Sequence, residues 1–197
     1  NALDSIFTLK KGFPLFIAGA PFAGKTEFVF EILVNCSILY GWKHFIYAGE
    51  VGEIHNIFAE LVSKHMGKQY HKGHFGATDS DVIYSSQFIE KHFIICNHNS
   101  DFTVSEFLQE VENAEKEYKI KFDTTVFDPF NDIKDETELF GGREDKYLAD
   151  ALKKIRVSSK NNARIDILVN HIADVRAVTD QASGNRYMPP ALPNEWA

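Results

Sequence analysis

The chain has 197 residues, a net charge of −7, and 44% hydrophobic against 25% charged side chains. That length supports one domain with a substantial core, and the acidic balance argues against a surface coated with cations for nucleic acid. No apolar run approaches the roughly 20 residues of a membrane span, so no membrane partner is expected. Cys36 and Cys96 are the only cysteines, and each sits in an apolar segment. They read as small buried hydrophobes of a reducing compartment rather than a disulfide, which makes the cytoplasm the expected location. The first residue is Asn1, so the expectation is one domain over 1–197 that forms a fragment of a longer protein.

Residues 1–12 are a lead-in, with Lys10-Lys11-Gly12 as a turn. Phe13 to Ala18 is a short apolar run that reads as a buried strand. Gly19-Ala20-Pro21-Phe22-Ala23-Gly24-Lys25-Thr26 follows and matches the phosphate-binding pattern G-x-x-x-x-G-K-[ST]. A helix follows over 27–40, with Gly41 as its C-cap. His44 to Gly49 reads as the second strand, ending in Glu50. Ile54, Ile57, Phe58, Leu61 and Val62 recur at helical spacing, so 53–66 is a helix ended by Gly67. Residues 68–90 carry no regular period; Phe88-Ile89 fit a short helix before the third strand, His92 to Asn97. Thr103 and Glu106 have the spacing of a capping box for a helix over 103–119. Asp123 to Asp128 is the fourth strand, 143–160 a helix, and Arg164 to Asn170 the fifth strand, ending at His171. From Ile172 onward no element is clear. Strands alternating with helices predict an α/β fold of three layers, a mostly parallel sheet covered by helices on both faces.

The loop Gly19–Thr26 is where chemistry is expected. Its backbone N–H groups converge on phosphate oxygens, and the helix behind it adds its positive end. Lys25 reaches the terminal phosphates, as a solvated side chain while no phosphate is bound. The Thr26 hydroxyl and Asp128, at the end of the fourth strand, form a shell for Mg²⁺. The residue after Asp128 is Pro129, so the group that activates water must come from elsewhere. Glu50 is the candidate, because it ends a strand at the carboxyl edge of the sheet; Glu53 is the fallback. His171 ends the fifth strand at the same edge and is placed to sense the γ-phosphate. His65, His71 and His74, and the pair Cys96 and His98, lack paired zinc-ligand spacing, so a structural metal site is not expected.

Together, the loop Gly19–Thr26, the run Phe45-Ile46-Tyr47-Ala48-Gly49-Glu50, the run Val126-Phe127-Asp128-Pro129-Phe130-Asn131 and the run Leu168-Val169-Asn170-His171 resemble the RecA-like ATPase core of DnaB-type replicative helicases. The resemblance is closest to the Twinkle-like and phage primase–helicase branch and covers about residues 10–175. It implies a RecA-like P-loop NTPase domain that uses ATP and Mg²⁺, with Glu50 as the catalytic glutamate and His171 as the γ-phosphate sensor. It further implies a homo-hexamer and single-stranded DNA as partners of the complete or assembled protein. Two departures accompany it. No arginine fits the finger that completes a neighbour's site in that family; Arg176 and Arg186 are the first to examine. The segment 131–146, where the family binds DNA, holds Lys134, Arg143 and Lys146 against Asp132, Asp135, Glu136, Glu138, Glu144 and Asp145. Three alternatives stay open at this point: a RecA- or KaiC-like regulatory or recombination ATPase, a nucleotide-binding assembly module with little turnover, and a small-molecule kinase. All the arginines lie after residue 140, which counts against a kinase lid.

Overall fold

Alternation within the strands decides the architecture. In β2 (His44–Ala48), Ile46 and Ala48 enter one apolar cluster while Phe45 and Tyr47 enter another. In β4 (Thr124–Asp128), Val126 and Phe127 divide in the same way. In β5 (Ile165–His171), Ile165, Ile167 and Val169 face the first cluster and Leu168 the second. A strand buried on both faces needs apolar residues at successive positions, which is why these segments read as runs. With β1 (Leu15–Gly19) and β3 (Phe93–Ile95) they form a five-stranded sheet in the order β1-β5-β4-β2-β3, with every neighbouring pair parallel. The computed structural model describes residues 7–49, 53–68, 76–96, 102–134, 136–171, 178–179 and 186–187.

Helices cover both faces. On the first lie α1 (Lys25–Tyr40), α2 (Ile54–Met66) and α3 (Asp79–His92), through Phe30, Leu33, Leu61 and Ile89 among others. On the second lie α4 (Val104–Tyr118) and α5 (Glu144–Asn162). That face is aromatic. Phe107 meets Phe127 edge-on at 4.8 Å and Tyr47 meets Phe102 edge-on at 5.3 Å, the orientation that ring quadrupoles favour. The capping box of α4 is formed as expected: Glu106 N donates to Thr103 Oγ1 at 3.2 Å, and Thr103 N donates to Glu106 Oε2 at 2.8 Å.

Three elements differ from the sequence expectation. The third helix is long, fourteen residues, and opens on its own capping box, Thr78 with Asp81. The third strand is only Phe93–Ile95, because α3 runs through His92 before the chain becomes extended. Beyond β5 there is a short antiparallel pair, β6 (Val178–Thr179) with β7 (Arg186–Tyr187).

The amino end of the sheet is held by buried polar groups. His44 is fully buried; its Nδ1 lies 2.6 Å from Thr124 Oγ1 and its Nε2 lies 2.9 Å from Ser37 Oγ. Asp166 accepts from Thr125 Oγ1 and Ser159 Oγ, each at 2.7 Å, and from Arg164 Nε at 2.8 Å. Burial, and then the nearby His92, push His44 down to about 3. The folded chain therefore keeps His44 neutral where the unfolded chain protonates it, near pH 6.5. Its contribution to stability is complete above pH 6.5 and is lost as pH falls from there toward 3. His65, also shifted down by burial, adds to the same trend. By pH 5.5 the expected loss from His44 alone is about 1.4 kcal/mol, or roughly 3–5 °C in melting temperature for a domain of this size. Melting curves between pH 7.5 and 5.5 check this: His44→Gln should flatten the slope, and an equally steep slope in the variant would refute the assignment.

Candidate nucleotide-binding site

The carboxyl edge of the sheet collects the site. β1 ends at Gly19, β4 at Asp128 and β5 at His171, and Gly19 pairs with His171 in register. This is the edge at which open parallel sheets bind ligands. The loop from Gly19 to Thr26 joins β1 to the first turn of α1, as the motif requires. Gly24 is the N-cap of α1 with φ +78, a left-handed conformation that a side chain resists. At Gly19 an added Cβ would stand 3.4 Å from Cδ of Lys25, so a side chain there would crowd the lysine's stem. Pro21, Phe22 and Ala23 form the exposed crest of the loop.

Lys25 is buried, not solvated as expected. Its Nζ donates to Gly19 O at 3.0 Å and Ala20 O at 2.9 Å, and lies 3.2 Å from His171 Nδ1. The loop curls back over its own lysine, which explains the low exposure. The lysine and the histidine, 146 residues apart, thus meet directly. Thr26 Oγ1 donates to Asp128 Oδ2 at 2.5 Å, so the two expected metal ligands are also in contact. Asp128 is fully buried at the end of β4, beside Ala48 of β2. A hydroxyl and a carboxylate are hard oxygen donors, and this set suits Mg²⁺, which takes few protein ligands and keeps water and phosphate oxygens for the rest.

Glu50 lies outside the described residues. Glu53 is the N-cap of α2; its carboxylate is 81% exposed and pairs with His55 Nδ1 at 3.1 Å. Behind the first turn of α1, Lys64 pairs with Glu27 and lies 3.8 Å from Glu60. Burial, then the neighbouring Glu27, push the Glu60 carboxyl up to about 7. The sequence reading gave no weight to that cluster. It also gave none to Asn131. The Asn131 side chain accepts from His171 N at 2.7 Å and donates to His171 O at 3.2 Å. Its place in the run after Asp128 was visible, but not its partner forty residues away.

Arg143, in the acidic segment after β4, is paired with Asp145 through both Nε and Nη2, at 3.1 and 2.6 Å. Arg176 lies outside the described residues, and Arg186 lies in β7. Cys36 and Cys96 are free thiols, and burial pushes Cys96 up to about 12. His71, His74 and His98 lie outside the described residues; among those described, no group of histidine, cysteine and acidic side chains is arranged to hold a metal ion. No helix among them is long and apolar enough to cross a membrane.

A parallel sheet with a phosphate-binding loop after β1 and a buried acid ending β4 defines a P-loop nucleotide-binding fold. No protein-family model and no curated protein matches the sequence. Solved structures do match. One is described as a DnaB-like replicative helicase and its interactions with primase; it superposes with a TM-score of 0.67 at 13% identity, over 93% of this chain and 44% of that one. Another is the ATPase domain of a second helicase, with a TM-score of 0.67 at 13% identity, over 84% of this chain and 59% of that one. The chain thus has the RecA-like fold of DnaB-type helicase ATPase domains, and it spans about half the length of the structures it matches.

Proposed function

We propose that this chain is the ATP-binding and ATP-hydrolysing motor core of a replicative-type DNA helicase of the primase–helicase kind. The observation that carries the reading is the convergence of Lys25, Thr26, Asp128 and His171 at one sheet edge, in the order of contacts that a triphosphate needs. The loop amides and Lys25 would take the phosphate charge. Thr26 and Asp128 would hold Mg²⁺, which supplies charge neutralisation at the phosphate oxygens. Glu50 would orient and deprotonate the attacking water, and His171 would report on the γ-phosphate. The fold likeness to helicase ATPase domains supports the motor class, and it extends by inference to a hexamer and to single-stranded DNA in the complete protein.

A second reading, a RecA- or KaiC-like regulatory ATPase or an assembly module with little turnover, is favoured by the acidic segment 131–146, whose Arg143 is already occupied by Asp145. The two readings part on DNA. The expected result is that the 197-residue chain binds Mg-ATP in calorimetry, hydrolyses it slowly and scatters light as a monomer. An arginine from a neighbour is typically worth ~10³–10⁵ in rate in such sites, so its lack should outweigh every other defect. No binding of Mg-ATP would overturn both readings. A stable hexamer with rapid, DNA-stimulated turnover would place the finger within the chain, and single substitutions of Arg176 and Arg186 would locate it.

A further inference from the structure

β4 stops pairing with β5 at Phe127 and Leu168, three residues before β5 ends. Past that point β5 keeps its other neighbour: Gly19 of β1 still pairs with His171. In a parallel ladder the N–H and C=O of one residue point to the same side, so His171 presents both groups toward the place β4 has left. The Asn131 carboxamide sits there. Its oxygen takes the His171 N–H at 2.7 Å and its nitrogen gives to the His171 carbonyl at 3.2 Å. A side-chain amide thereby stands in for a strand's peptide group. Asn131 occurs in a 3-10 turn, Phe130–Asp132, directly after Asp128 and Pro129, so the same short segment carries the metal acid and the grip on the histidine.

The contact with Lys25 fixes what that grip achieves. An ammonium has donors only, so His171 Nδ1 must accept from it. The ring proton of the neutral imidazole is then on Nε2. A displacement of the β5 end that lengthened this contact would free the ring to take either tautomer.

We propose that Asn131 is a positioning residue: it replaces the missing β4 peptide beside His171 and so sets the histidine's place and tautomer against Lys25. The inference deepens the ATPase reading and rests on it for the consequence in turnover. The ring nitrogens are read without nucleotide, by long-range proton–nitrogen NMR on ¹⁵N-labelled chain at mildly alkaline pH. In the wild type, His171 should show the Nε2–H pattern. Asn131→Ala, and Asn131→Ser as a second variant, should give averaged nitrogen shifts while melting close to wild type, since Asn131 is exposed. With Mg-ATP, Asn131→Ala should keep affinity within about threefold and lower single-turnover hydrolysis by roughly tenfold. In a His171→Ala background the same substitution should cost nothing more, because its effect passes through His171. Unchanged His171 nitrogen shifts in both variants, or an equal loss of turnover in the His171→Ala background, would overturn the inference. A wild type that shows the Nε2–H pattern but does not bind ATP would instead overturn the ATPase reading and leave the positioning intact.

Discussion

Lys25→Ala should abolish measurable Mg-ATP binding and leave the chain folded. The ammonium makes its bonds to two carbonyls of its own loop and to His171, all at the rim of the sheet. Removing it strips the loop of its positive charge where a triphosphate would bring negative charge. Charge-assisted hydrogen bonds contribute about 1.5–3 kcal/mol each, so the loss of the lysine's bonds to phosphate should weaken binding by at least about a hundredfold. The fold should lose less. Gly19 O and Ala20 O lie in a loop at the surface that water can reach, and the core clusters of the sheet do not include Lys25. Calorimetry and melting curves on both proteins measure the two effects separately. Wild-type affinity in the variant would remove the phosphate-binding role from the loop.

Glu50→Gln should act on turnover and not on binding. A carboxylate that accepts a proton from water contributes through its basicity, and the amide keeps its size while losing that property. Hydrolysis should fall by on the order of a hundredfold or more, with ATP affinity within a few-fold. Glu53→Gln is the matched control. The Glu53 carboxylate is exposed and faces His55, so its substitution should leave the rate unchanged. Single-turnover phosphate release compares the three proteins. A loss in Glu53→Gln with none in Glu50→Gln would transfer the role to the start of α2.

Much of this was legible in the sequence, for a physical reason. Strands buried on both faces leave uninterrupted apolar runs, and a phosphate loop needs glycine at positions where the backbone turns left-handed, as Gly24 does. The Thr103 and Glu106 box could be read because both partners are local. What escaped was either unlike the usual apolar pattern or distant in sequence. The helix α3 buries Ser85 and His92 beside Ile89, and Phe88 stacks with His65 at 4.0 Å and with His92 at 4.5 Å. Histidine rings there fill the place of apolar side chains, so the helical period was hidden. The grip of Asn131 on His171 has no spacing rule at all, because it joins a side chain to a backbone forty residues on. The burial of Lys25 follows from the curl of its loop, which no residue pattern encodes.

The polar contacts at the amino end of the sheet bear on the opposite end. His44 and Thr124 are direct partners across β2 and β4, and Thr125 and Asp166 are direct partners across β4 and β5. Each pair is joined by a side-chain hydrogen bond, so two successive rungs lock three central strands against sliding. A shift of one residue would turn Asp166 out of its polar niche and into the apolar layer under α1, where its charge would have no partner. Runs of valine, isoleucine and phenylalanine cannot discriminate so sharply, since one aliphatic neighbour substitutes for another. The strands are like ropes tied off at one end: with those knots fixed, Asp128 and His171 come level with Gly19 at the other end, a strand's length away.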